Sequence, residues 1–326
     1  MDIKSLEITR LDKTDGVPTS LIILQHGLHG TLNDYDNFLN ILLGYDFTVP
    51  TIVLRPRTNG GFWPTMGGVK ECSERMVAEV EIVLKAFPSL RQYSIVGHSL
   101  GGVIARHSIK KISALGYKLK PIDFIAVSSP FLGVRRPRRT VFNSVFHKFA
   151  PLIAGQTGKE LLMEDDDPNI MLELTKGDYL SSLRQFKRRA AYGNVFNDMQ
   201  VPYCTSLFSS HRNPFRGKNA KRVVFLEGNS NIIDMEQSEF RLHPSSNELE
   251  LTFASDERKR QVLLSMVSNL NSLQWEKFAC RIDVPFMAHV QIIFQNRFIP
   301  SGKDATKHIC ARLKEGLSAT TPSSRL

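Results

Sequence analysis

Tyr93-Ser94-Ile95-Val96-Gly97-His98-Ser99-Leu100-Gly101-Gly102 decides the fold. Four residues of strand character run into Gly-His-Ser-Leu-Gly, and a helical run from Val103 to Ile112 follows at once. A strand, a turn too sharp for ordinary side chains, and a helix together are the context in which a G-x-S-x-G serine becomes an exposed nucleophile. Glycine is expected on both sides of Ser99 because a β-carbon at 97 or 101 would collide with the adjoining strand or helix. The turn lifts the Ser99 hydroxyl clear of the sheet. The helix N-terminus behind it offers unpaired N–H groups and a positive dipole end to developing negative charge.

Upstream, Ser20-Leu21-Ile22-Ile23-Leu24 is a continuous apolar run, as expected of a central strand buried on both faces of a parallel sheet. It ends in Gln25-His26-Gly27-Leu28-His29-Gly30. A loop of this kind, delivered by a strand ahead of the serine turn, is placed to carry an oxyanion donor, and the Leu28 N–H is the candidate. The Leu100 N–H, one residue past the nucleophile, is the second; such donors contribute a few kcal/mol each in a transition state. His26 and His29 also admit a metal-pair reading, but no carboxylate or third imidazole stands at ligand spacing.

Further along, Asn33–Leu43 and about Val69–Phe87 read as helices, and Thr51–Leu54 and Ile122–Val127 as strands. Strands alternating with helices imply βαβ units and a mostly parallel, doubly wound α/β sheet. From Val134 the rhythm breaks. Arg135-Arg136-Pro137-Arg138-Arg139 precedes apolar residues at helical steps, Val141 to Ile153, which fit either a lid or membrane-contacting helix or a helix packed on the core with solvated arginines; about 134–185 is expected to be a lid-like helical insertion. Residues 209–222 and 227–260 read as polar surface excursions, and 301–326 as a C-terminal tail, partly disordered, beyond a single domain of 1–300. The strand-like Ala190–Phe196 ends in Asn197-Asp198, where a carboxylate that orients a catalytic histidine belongs. Asp234 is the alternative acid. Of the four histidines beyond Asp198, His211 and His243 fall in the excursions and His308 in the tail. His289 lies after the last strand, Trp275–Val284, and completes the order Ser…Asp…His.

Composition sets bounds on function. The chain has 326 residues, 42% hydrophobic and 23% charged, enough for a large globular core. Four dispersed cysteines (Cys72, Cys204, Cys280 and Cys310) suggest free thiols in a reducing compartment. The opening MDIKSLEITRLDK lacks the apolar core of a secretory leader, and no apolar run approaches about 18 residues. A cytoplasmic protein is therefore expected. A net charge of +10 suits an anionic surface, membrane or nucleic acid, and peripheral contact with anionic membranes or lipid droplets is the expected localisation beyond the cytoplasm. Nucleic acid is not an expected partner, because no aromatic platform is interleaved with the arginines.

The stretches LIILQHGLHGTLNDYDNF, YSIVGHSLGGVIARHSI, FIAVSSPFLGVR, QTGKELLMEDDDP, LRQFKRRAAYGNVFNDMQVPYCTSLF and RIDVPFMAHVQIIF resemble the lipase-like serine esterases of eukaryotes, relatives of the yeast Rog lipases in the α/β-hydrolase superfamily. The resemblance covers about residues 20–295. It aligns Ser99 with the nucleophile, Asp198 with the acid of an N-D-x-x-V-P stretch and His289 with the base, and puts Leu28 and Leu100 at the oxyanion positions. It implies hydrolysis of acyl esters, of glycerolipids or phospholipids, with no metal or organic cofactor. Two alternatives stay open: an acyltransferase or thioesterase using the same three residues, and a non-catalytic lipid-binding protein of this fold.

Overall fold

Alternating apolar side chains organise the chain into three layers. The computed structural model describes residues 2–12, 16–134, 155–165, 169–210, 213–215, 223–238 and 257–318. Seven strands form one sheet: β1 (Glu7–Arg10), β2 (Ser20–Gln25), β3 (Thr51–Arg55), β4 (Gln92–His98), β5 (Lys120–Val127), β6 (Arg188–Asn194) and β7 (Glu276–Cys280). Their order is β1-β3-β2-β4-β5-β6-β7. Only β1 is antiparallel, pairing with β3; every other neighbouring pair is parallel. The chain winds outward from β2 to β3, returns to β4, and then proceeds to β7, which is the doubly wound α/β order read from the sequence.

Helices α1 (Asp36–Leu43), α2 (Val69–Ala86) and α3 (Leu100–Ala114) follow β2, β3 and β4. In β2, Leu21 and Ile23 join one core with Val80 of α2 and Val103 of α3. Ile22 and Leu24 join the other with Phe38 of α1. A strand covered on both faces has no polar side to show, so its sequence is a continuous apolar run. The remaining helices are α4 (155–162), α5 (Ile170–Glu173), α6 (Gly177–Arg184), α7 (Tyr203–Ser206), α8 (Glu257–Asn271), α9 (Ala288–Gln291) and α10 (Lys303–Ser318).

Three sequence readings need correction. Residues 303–318 are not a tail: α10 buries Ala305, Ile309, Cys310, Leu313 and Leu317 in the same layer as α1. Its apolar stripe is masked in the sequence by the charged residues of its outer face, and the domain therefore extends past 300. The region 209–260 is not wholly a surface excursion, since Phe215, Ile232 and Ile233 are buried. The Ile233 N–H donates to Ala279 O (2.9 Å) and the Arg281 N–H to Asn231 O (2.7 Å), which covers part of the open edge of β7. Within the supposed lid, α4 and α6 belong to the packed body. Leu161 and Leu183 are buried, and the Glu160 carboxylate accepts the Val69 N–H at the start of α2 (2.7 Å). The readings placed on Arg135–Arg139 and on Val141–Ile153 lie outside the described residues.

Because Leu313 is fully buried in α10, Leu313→Ala should lower the unfolding free energy by about 2–5 kcal/mol in a denaturant titration. A loosely attached segment would give a change within about 0.5 kcal/mol.

Candidate active site

At the end of β4 the chain reverses through Ser99, whose φ of 55° and ψ of −129° lie outside the regions ordinary residues favour. Only glycine fits around this turn. A β-carbon on Gly97 would come within 2.4 Å of Gly102 Cα, and one on Gly101 within 2.2 Å of Gln25 O. Gly27 crosses directly over the serine: a β-carbon there would meet Ser99 Cβ at 2.7 Å and Oγ at 3.2 Å. The Ser99 N–H is held by Val127 O at the end of β5 (2.9 Å).

Residues from three distant parts of the chain meet at this turn. His289, in α9 just past β7, has Nε2 2.9 Å from Ser99 Oγ and Nδ1 3.0 Å from Asp198 Oδ2. Asp198 follows β6, and its Oδ1 accepts the N–H groups of Gln200 (3.0 Å) and Val201 (2.8 Å). Both side chains are almost inaccessible, His289 at 3% and Asp198 at 1%. Burial alone would raise the Asp198 pKa. The charge and hydrogen bond of His289, with the Val201 N–H and the Asn194 amide, more than offset that and hold it below the ordinary carboxylate value. With Asp198 charged, Nδ1 of a neutral His289 carries the proton and Nε2 is free to accept the Ser99 O–H.

Leu100 opens α3, so its N–H is one of the donors the helix leaves unpaired. Leu28 follows Gly27 over the serine. Among the described residues neither amide donates to an acceptor. The Leu28 loop is braced from outside: the Gly61 N–H donates to Gly30 O (2.8 Å), the His29 N–H to Thr65 Oγ1 (2.8 Å), and the His29 ring stacks on Phe62 at 4.1 Å. His29 Nδ1 is bonded to Phe62 O (2.7 Å), and His26 Nδ1 faces Gly27 O (3.0 Å), so the two rings engage different backbone carbonyls. Among the described residues no three His, Cys, Asp or Glu side chains gather as a metal site.

The other candidates stand elsewhere. Asp234 Oδ1 accepts the N–H groups of Glu236 and Gln237 in a local turn. His308, on α10, is bonded to the Tyr192 hydroxyl (2.8 Å). His211 and His243 lie outside the described residues.

Two side chains that sequence reasoning passed over hold the site together. The Asn194 amide, at the end of β6, donates to Asp198 Oδ2 (3.0 Å), Ala288 O (3.0 Å) and Ser128 Oγ (3.3 Å). It therefore ties the acid to the helix that carries His289. His98 Nε2–H donates to the His289 carbonyl (2.8 Å) from the other side. Desolvation, with the nearby charge of His289, pushes the His98 pKa down to about 3, so it stays a neutral donor near neutral pH. The available signal was positional: His98 adjoins the serine, and Asn194 ends the strand that leads to Asp198.

Known proteins resemble this chain in sequence. Residues 17–211 match the family described as "Putative serine esterase (DUF676)", a stretch that contains Ser99 and Asp198 and stops short of His289. Among curated relatives, "Putative lipase ROG1" of Saccharomyces cerevisiae is 33% identical over 196 residues, 57% of this chain and 28% of that protein. "Putative lipase YDL109C" of the same yeast is 35% identical over 127 residues, 36% of this chain and 19% of that protein. The matched stretches thus span less than a third of these relatives. Among solved structures, a hormone-sensitive lipase from a metagenome library superposes with a TM-score of 0.48 at 14% identity, covering 97% of this chain and 84% of that one. The family match takes in well over half of the sequence, and the chain belongs to this serine esterase family.

Proposed function

We propose that the chain is a serine carboxylic ester hydrolase acting on acyl esters of glycerolipids or phospholipids. The observation that supports this best is the continuous hydrogen-bonded path from Ser99 Oγ through His289 to Asp198, with three members drawn from positions 99, 198 and 289. In this reading His289 Nε2 takes the Ser99 proton as Oγ attacks the ester carbonyl. Asp198 stabilises the resulting imidazolium, and the N–H groups of Leu28 and Leu100 receive the oxyanion. Collapse expels the alcohol, protonated by His289, and leaves an acyl-serine. Water deprotonated by the same imidazole then releases the acid and regenerates Ser99. The lipid character of the substrate rests on the relatives' printed names. No described helix is long and apolar enough to cross a membrane.

Hydrolysis of a p-nitrophenyl acyl ester should fall by about a thousandfold or more in Ser99→Ala and in His289→Ala, with little further loss when the two are combined. Wild-type rates in Ser99→Ala would overturn the reading. Asn194→Ala should lower kcat on the order of tenfold to a hundredfold through loosened aim of the base, without a matching fall in thermal midpoint at neutral pH.

Burial also sets an acid limit on the fold that carries the reaction. Burial pushes His98 down to about 3 and His107, under α6, down to about 4, from an ordinary 6.5. Below about pH 6.5 these two imidazoles bind more protons in the unfolded chain than in the folded one, so their contribution to stability is intact above that pH and is lost as pH falls toward those lower values. Each imidazole contributes up to about 1.4 kcal/mol per pH unit. Denaturation between about pH 6 and 4 should therefore be less steeply pH-dependent in His98→Gln than in wild type. Equal slopes would contradict burial of a neutral His98.

A further inference from the structure

The carboxyl ends of the strands carry apolar surface that the proposed chemistry does not use. Among the described residues the three most exposed large apolar side chains are Phe298 (81%), Phe286 (79%) and Trp63 (74%). All are aromatic, and they come from three separate loops. Trp63 sits edge-on to Phe62 (5.1 Å), which stacks on His29 beside Leu28. Phe286 stands three residues before His289. Its φ of 63° is an uncommon conformation for a bulky residue, held in a loop that leaves the ring in solvent. Phe298 lies on the loop between α9 and α10, which the Gln291 amide ties back to the His289 helix through Asn296 O (2.9 Å) and Ile299 O (2.7 Å). Met199, next to Asp198, is a fourth exposed apolar residue at 43%. The Trp63 and Phe286 loops follow β3 and β7, parallel strands that end on the same side of the sheet as β4 and Ser99, and the Phe298 loop is tied to α9, so the three rings lie on loops at the serine end of the sheet.

We propose that this rim is a docking face for a lipid bilayer, with Trp63, Phe286 and Phe298 entering the interfacial region. The choice of occupant rests on the lipid-ester reading above. A protein partner, or a second copy of this chain, covering the rim would close the approach to Ser99. A bilayer covering it would deliver acyl esters through the covered side. Single aromatic rings on separate loops suit the headgroup boundary, where an amphipathic ring has one side apolar and one side wet. Charge agrees with an anionic leaflet. The Arg297 guanidinium lies 5.1 Å from the centre of the Phe298 ring, Lys303 Nζ lies 5.9 Å from that of Phe294, and the whole chain carries a net +10.

The test uses the full chain carrying Ser99→Ala, which leaves the lipid intact, and vesicles of phosphatidylcholine mixed with phosphatidylserine. The sequence has two tryptophans. Trp275 is already packed between Phe131 and Phe208, with its Nε1–H on Leu270 O (3.0 Å), so a vesicle-induced change in emission reports Trp63. The expected result is a blue shift of Trp63 emission and co-sedimentation with vesicles. Trp63→Ala, Phe286→Ser and Phe298→Ser should each weaken partitioning by about tenfold at an unaltered thermal midpoint. An absent blue shift, or undiminished sedimentation of all three ring variants, would overturn the proposal. So would a wild-type dimer that the ring variants convert to monomer, because the face would then belong to a second copy. Failure to bind vesicles with ester hydrolysis intact would remove only this inference. Vesicle binding by a chain whose wild type hydrolyses no ester would instead remove the function proposed above.

Discussion

The site depends on a crowding that glycine alone permits. At 97, 101 and 27, any side chain would drive into backbone or into Ser99 itself, so β4, α3 and the loop after β2 close to contact distance around one hydroxyl. That contact holds Ser99 at a positive φ, a conformation of order 1–3 kcal/mol above the ordinary regions. The cost is met by the sheet: the Ser99 N–H is tied to Val127 at the neighbouring strand, and the layers on both sides of β4 are filled with apolar side chains. A rigid, over-determined turn is what allows a hydroxyl to be presented in one orientation without reorganisation when charge develops.

Parallel strand direction supplies the rest. β4, β6 and β7 all end on the same side, so Ser99, Asp198 and His289 reach one place although about 90–100 residues separate each from the next. Asn194 and His98 turn that proximity into fixed geometry. Asn194 spans the acid and the Ala288 carbonyl, while His98 grips the carbonyl of His289. Both bonds act on the backbone of the short helix α9. Four residues of helix have little stability of their own, so the aim of the imidazole is set by these neighbours.

What was legible in the sequence was whatever is decided locally. The serine turn announces itself because glycine, strand and helix signals fall within ten residues. β2 and β5 are readable because strands buried on both faces are mostly apolar, although β5 also buries Asp123 against Arg188. The positions 99, 198 and 289 could be singled out from chain order and loop context, and their convergence required the sheet. Features decided by long-range packing stayed hidden. α10 looks like a charged tail until Leu313 and Leu317 are seen against α1, and Ile232 and Ile233 look like part of a polar loop until the bare edge of β7 is seen beside them. The antiparallel β1 leaves no signal beyond a short mixed stretch. Asn194 and His98 were missed for the same reason: their importance lies in carbonyls contributed by residues some 90 and 190 positions away.

The central claim is that Ser99 is made reactive by His289. Its most direct measurement is mass-spectrometric mapping of the adduct formed with a fluorophosphonate. The account predicts a single phosphonylated peptide, the one containing Ser99, with the adduct greatly diminished in His289→Ala. A modified serine elsewhere, or equally fast labelling of Ser99 without the imidazole, would contradict it.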